Sequence, residues 1–124
     1  GLFVLISVLV YLAFLKRKKL QTTNNKESFG ELIKGNQPVL VDFTATWCGP
    51  CKMMKPVLEQ LHQQMGDKVR IIKIDIDQSP SAASAYQVQS VPTLILFQSG
   101  KILWRQSGVV QAFELRKIID QYIK

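Results

Sequence analysis

The chain has 124 residues, is 47% hydrophobic and carries a net charge of +7. That length supports one compact domain with its own core and excludes two. Four of the positive charges fall on Lys16, Arg17, Lys18 and Lys19, which leaves +3 over residues 20–124, an ordinary balance. The basic run abuts an apolar segment instead of forming a face interleaved with aromatics, so nucleic acid is not an expected partner.

Residues 1–15 carry no charge. As a helix they reach about 22 Å, against about 30 Å for the hydrocarbon layer, a gap that snorkelling of Lys16 and Arg17 narrows. A secretory signal has its charge before the apolar run and a small-x-small site after it. Here the charge follows and no such site is present. Residues 1–19 are therefore expected to anchor the domain, residues 20–124, in a membrane. Cations that flank a span stay on the cytoplasmic side, so the domain is expected to face the cytoplasm, with an extracytoplasmic orientation as the alternative.

From Leu20 to Lys26 the chain is polar and reads as a linker or a short edge strand. Asn24 or Asn25 can cap a helix that runs through Lys34 and stops at Gly35-Asn36. Pro38 opens Val39–Phe43, an apolar run suited to a strand buried on both faces. Gly49-Pro50 breaks it, and Cys51–Met65 has helical spacing, with Met54, Val57, Leu58 and Leu61 as the inner stripe and Pro56 as a kink. Val69–Ile76 alternates as a second strand, and Pro80–Tyr86 reads as a short helix. Val91–Phe97 is a third strand, joined through a tight turn at Ser99-Gly100 to Ile102–Trp104. A closing helix spans about Val110–Ile123, its apolar positions Phe113, Leu115, Ile118, Ile119 and Tyr122. This order makes an α/β architecture with a mixed sheet.

The two cysteines are three apart. Closing so small a loop removes little entropy from the unfolded chain, so stapling is a weak reason for the pair. At the junction of a buried strand and a helix, Cys48 meets free N–H groups and the positive end of the helix dipole, which favours thiolate. Cys51, one turn on, is within bonding reach and is expected to be more enclosed. Gly49 permits the turn, and Pro50 suits the start of a helix because its missing N–H loses no bond. A structural zinc site needs four ligands, and the chain offers only these two cysteines and His62. Trp104 reads as sheet packing and His62 as an exposed helix residue.

Trp47-Cys48-Gly49-Pro50-Cys51-Lys52 after Val41-Asp42-Phe43, with Val91-Pro92-Thr93 some forty residues on, resembles thioredoxin over roughly Leu20–Lys124. The resemblance implies a thioredoxin fold, a central mixed β-sheet flanked by helices on both faces. It also implies a protein-disulfide reductase in which Cys48 attacks a substrate disulfide and Cys51 resolves the mixed disulfide. Asp42 corresponds to the family's buried carboxylate, a proton acceptor for Cys51, and Lys73 to the lysine close to it. Pro92 corresponds to the family's cis-proline, leaving the Val91 backbone free to pair with an extended substrate, and Thr93 follows as in the family. Trp47, Gly49, Val91, Pro92 and Gly108 would line a shallow apolar groove. Many thioredoxins carry Trp where Thr44 stands, which bears on substrate preference. The implied partners are disulfide-containing proteins and a thioredoxin reductase or other electron donor. The implied molecule is a monomer with no metal and no cofactor beyond the redox-active Cys48–Cys51 disulfide. The competing reading is a partner-binding module of the same fold without redox turnover.

Overall fold

A computed structural model describes residues 1–21 and 25–123, with side chains for 1–13 and 29–123. In chain order the elements are α1 (Leu2–Gln21), α2 (Asn25–Lys34), β1 (Val39–Thr44), α3 (Gly49–Met65), a short 3-10 turn (Gly66–Lys68), β2 (Arg70–Asp75), α4 (Pro80–Ala85), β3 (Thr93–Gln98), β4 (Lys101–Ser107) and α5 (Ala112–Tyr122). Residues 22–24, including the candidate cap Asn24, lie outside the described residues, while Leu20 and Gln21 complete α1 and Asn25 begins α2.

The four strands form one sheet in the order β2-β1-β3-β4. β1 runs parallel to β2 and antiparallel to β3, and β3 and β4 form an antiparallel hairpin. Successive residues of β1 face opposite ways, and both faces are covered, as the unbroken apolar run Val39-Leu40-Val41 requires. Leu40 points with Leu94 and Leu96 toward α3 and α5, meeting Met54, Leu58 and Leu61 of α3 and Leu115 and Ile119 of α5. Val39, Val41 and Phe43 point the other way with Ile95 and Phe97, against Phe29 and Ile33 of α2. Tyr86, just after α4, joins that side edge-on to Phe29 and Phe97. The mixed sheet with helices on both faces is the architecture the sequence implies.

Boundaries shift where backbone chemistry overrides apolar pattern. β3 begins at Thr93 and not at Val91, since Pro92 offers no N–H to a ladder. β4 extends to Ser107, past the expected Trp104. Ser99 and Gly100 both take positive φ (53° and 77°), the combination that joins two twisted strands through a two-residue turn. α3 stays helical through Pro56. In α5 the buried stripe is Ala112, Leu115 and Ile119, whereas Phe113 is 62% exposed and Tyr122 is also exposed. Phe113 and Leu115 lie about 200° apart around a helix and cannot both face the core.

The expected membrane anchor is corrected. α1 continues as helix through the four cations Lys16–Lys19 to Gln21, so its uncharged part ends at Leu15. Among the described residues no helix is long and apolar enough to cross a membrane. With no span in evidence, the flanking cations define no cytoplasmic side, and the orientation inferred from them falls as well.

Candidate functional site

β1 delivers Asp42 and, four residues after Phe43, the turn that carries Trp47. α3 then starts at Gly49, two residues before the cysteine expected to begin it, and Cys48 is its N-cap residue (φ −90°, ψ 114°). N-cap positions ordinarily hold Ser, Thr, Asp or Asn, whose oxygen accepts a free N–H of the first turn. Here sulfur takes that place: the Cys51 N–H donates to Cys48 Sγ at 3.2 Å. Pro50, inside the first turn, has no N–H to leave unpaired. Cys48 and Cys51 are joined as a disulfide with Cα atoms 5.3 Å apart.

The expected contrast in exposure between the two cysteines is absent, since Cys48 is 4% and Cys51 5% exposed. Both pack with Ala45, and Ile76 and Val91 lie over them. The asymmetry is electrostatic: Cys48 sits at the positive end of α3 and accepts its N–H, while Cys51 supplies that N–H from within the helix.

Asp42 is buried (1% exposed), and neither carboxyl oxygen has a hydrogen-bond partner. It shares the face of β1 with Leu40, the side on which α3 packs. Burial disfavours its charged form and raises its pKa from 3.8 to about 6, with the Lys73 cation pulling the other way. Lys73 stands opposite Asp42 in the β1–β2 register, an exposed residue on the edge strand of the sheet.

The Val91–Pro92 peptide is cis, and the Val91 carbonyl oxygen lies 3.6 Å from Cys48 Sγ. Thr93 is fully buried and donates its hydroxyl to the Ser90 carbonyl at 2.7 Å, closing the turn around Pro92. Gly108 takes φ 94° and donates its N–H to the Pro92 carbonyl at 2.8 Å. The structure therefore brings Cys48, Cys51, Val91, Pro92, Thr93 and Gly108 together. Gly49 and Pro50 are exposed on the first turn of α3.

Trp47 is 68% exposed, and its indole Nε1 donates to Asp77 Oδ2 at 2.8 Å. Asp77 is placed by the turn after β2, where Asp75 Oδ1 accepts the N–H groups of Asp77 and Gln78. The sequence reading missed both acids. Their signal was the Asp-Ile-Asp-Gln-Ser-Pro string at the end of a strand, which is Asx-turn chemistry. Among the described residues no group of His, Cys, Asp or Glu has the arrangement of a metal site.

The thioredoxin family model matches residues 20–121. The chain is 45% identical over 97 residues to a thioredoxin-like protein of Synechocystis sp., covering 77% of this chain and 92% of that one. It is 48% identical over 93 residues to part of a bifunctional thioredoxin reductase/thioredoxin of Mycobacterium leprae, covering 74% of this chain and 20% of that one. A solved structure of a mutant thioredoxin from Halobacterium salinarum superposes with a TM-score of 0.74 at 37% identity, over 82% of this chain and 88% of that one. With a sheet, a helix-capping disulfide and a family match that agree, the chain belongs to the thioredoxin family of protein-disulfide reductases.

Proposed function

We propose that Cys48 is the attacking thiolate and Cys51 the resolving thiol of this reductase. The observation that carries the assignment is the Cys51 N–H donated to Cys48 Sγ at the N-cap of α3. A thiolate at Cys48 would gain both that bond and the helix dipole, which lowers its proton affinity and raises the attacking fraction at neutral pH.

The exchange runs in two steps. Cys48 thiolate attacks one sulfur of a substrate disulfide, forming a mixed disulfide and releasing the other sulfur as a thiolate that takes a proton from solvent. Cys51 then gives up its proton and attacks Cys48 Sγ, forming the bond seen in the structure and releasing the second substrate thiol. Two electrons pass from the dithiol to the substrate. Asp42, whose pKa of about 6 lies near neutral pH, is the proton acceptor for Cys51, and Lys73 biases its ionisation.

Val91 and Pro92 present the substrate. The Val91 carbonyl beside Cys48 lets an extended chain pair along that backbone while its disulfide faces the sulfur. Trp47, Gly49, Pro50 and Gly108 border the docking groove, and Thr93 fixes the turn behind it. The electron donor is a thioredoxin reductase. A relative whose name joins a thioredoxin reductase to a thioredoxin in one chain supports that partner.

Insulin reduction with dithiothreitol as donor tests the roles. Cys48→Ser is expected to abolish turnover. Cys51→Ser should attack but not release, accumulating a mixed disulfide detectable by non-reducing electrophoresis. Turnover surviving in Cys48→Ser would refute the assignment.

A further inference from the structure

Two side chains of β4 that play no part in the exchange itself reach the chain on either side of Val91-Pro92. Arg105 and Ser107 are two residues apart on the strand, so the pleat turns them to the same face. Their cross-strand partners are Ile95 and Thr93, and Ile95 belongs to the side of the sheet covered by α2. From that face Arg105 donates through Nη1 to the Tyr86 carbonyl and through Nη2 to the Gln87 carbonyl at 2.8 Å. Those carbonyls close α4: Tyr86 is its C-cap, and Gln87 has the left-handed φ of 52°. Carbonyls at a helix end lack intrahelical partners, and a planar guanidinium with paired donors suits two of them together.

Ser107 grips the other end of the segment. Thr93 has one hydroxyl proton, and it goes to the Ser90 carbonyl at 2.7 Å. The 3.1 Å contact between Thr93 Oγ1 and Ser107 Oγ must then run the other way, with Ser107 donating. One residue further, the Gly108 N–H holds the Pro92 carbonyl. β4 and the glycine that follows it therefore hold residues 86 and 87 on one side of Val91 and residues 92 and 93 on the other.

We propose that Arg105 and Ser107 are positioning residues that hold the Val91-Pro92 backbone in the register needed for substrate docking. Resting on the reading of that backbone as the docking edge, the inference assigns them to affinity and leaves sulfur exchange untouched. Neither side chain bonds to a sulfur atom. Without them the segment would have to be ordered when substrate binds, which weakens binding while the reacting geometry, once reached, is the same.

The test is a single-turnover stopped-flow measurement in which reduced protein meets increasing concentrations of oxidised insulin, read by fluorescence. Ser107→Ala and Arg105→Ala are each expected to raise the half-saturating concentration roughly three- to tenfold, as expected for loss of one or two hydrogen bonds. The limiting rate should stay at the wild-type value. Reaction with 5,5′-dithiobis(2-nitrobenzoate), too small to pair along the Val91 edge, should also be unchanged. Ser107→Thr keeps the hydroxyl and should restore wild-type half-saturation. Cys48→Ser is run alongside: if it exchanges with insulin at the wild-type rate, the underlying assignment of the site fails. If it is inert while both β4 variants keep wild-type half-saturation, the positioning role alone fails. A matching fall in limiting rate and in reaction with the small disulfide would show general disruption of the fold and would equally overturn the proposal.

Discussion

Asp42→Asn should change the pH dependence of stability more than any other single substitution among the described residues. Asp42 is buried with both carboxyl oxygens unpaired, and its pKa is raised from 3.8 to about 6. Between those values the folded protein holds a proton that the unfolded chain has released, so the charged form opposes folding. Stability therefore falls as pH rises from about 4 through 6 and levels off above. By linkage the total cost is about 3 kcal/mol on the alkaline side, a large share of a small domain's stability. Asparagine has nearly the same shape but cannot ionise, so the variant should lack this slope. Whatever partners its amide finds, they shift the variant's stability by an amount that does not depend on pH. Only the pH-dependent part of the difference is diagnostic. Urea unfolding of oxidised wild type and Asp42→Asn at intervals from pH 4 to 8 measures it. The difference should grow in favour of the variant by roughly 2–3 kcal/mol and flatten above pH 7. A difference constant across that range would show that Asp42 is not held neutral by burial.

Three further outcomes follow from the geometry. Gly108→Ala places a Cβ where nothing lies within 4 Å, so its cost comes from the backbone φ of 94° and should be about 1–2 kcal/mol in chemical denaturation; an Ala variant as stable as wild type would mean this turn does not need glycine. On α5, Leu115→Ala should cost about 2–5 kcal/mol. Phe113→Ala, which removes an exposed ring beside Lys117, should cost no more than about 1 kcal/mol by the same measurement; equal losses would restore Phe113 to the core. Asp77→Ala removes the acceptor of the Trp47 indole, and acrylamide should then quench Trp47 fluorescence more efficiently than in Asp77→Asn, whose side-chain oxygen still accepts.

What the sequence made legible is what depends on local pattern. Val39–Phe43 declared a two-sided strand because every residue but Asp42 is apolar, and that lone acid marked the one position where a core rule is broken. Cys48 and Cys51 were legible because strand, Gly-Pro and helix place them at a helix start without tertiary knowledge. Arg105 and Ser107 were not legible. Their partners are backbone carbonyls of residues 86 and 87, which carry no residue signature, and a threonine hydroxyl fourteen residues away. Phe113 is apolar in type but lies out of helical phase with Leu115 and Ile119, and phase decides which residue is buried. Ala112, three residues before Leu115, takes the buried position with less apolar bulk. At the N-terminus the uncharged run ends at Leu15 while α1 continues into four cations, and snorkelling of Lys16 and Arg17 does not make up the missing apolar length.

Two departures from ordinary folding preference fall on residues assigned to the exchange: an unpaired buried carboxyl on β1 and a cysteine where helix caps favour oxygen. Local rules are broken most often where function requires it, and the cap allows that idea to be tested directly. A serine at position 48 would accept the residue-51 N–H as a preferred cap, whereas sulfur is a weak acceptor. In the reduced state, where no disulfide contributes, Cys48→Ser should therefore be at least as stable as wild type, by up to about 1 kcal/mol, while reducing no insulin. Urea unfolding of both proteins under dithiothreitol gives the comparison. A serine variant clearly less stable than the reduced wild type would mean that Cys48 is there for packing and that its place at the head of α3 owes nothing to a trade of stability for reactivity.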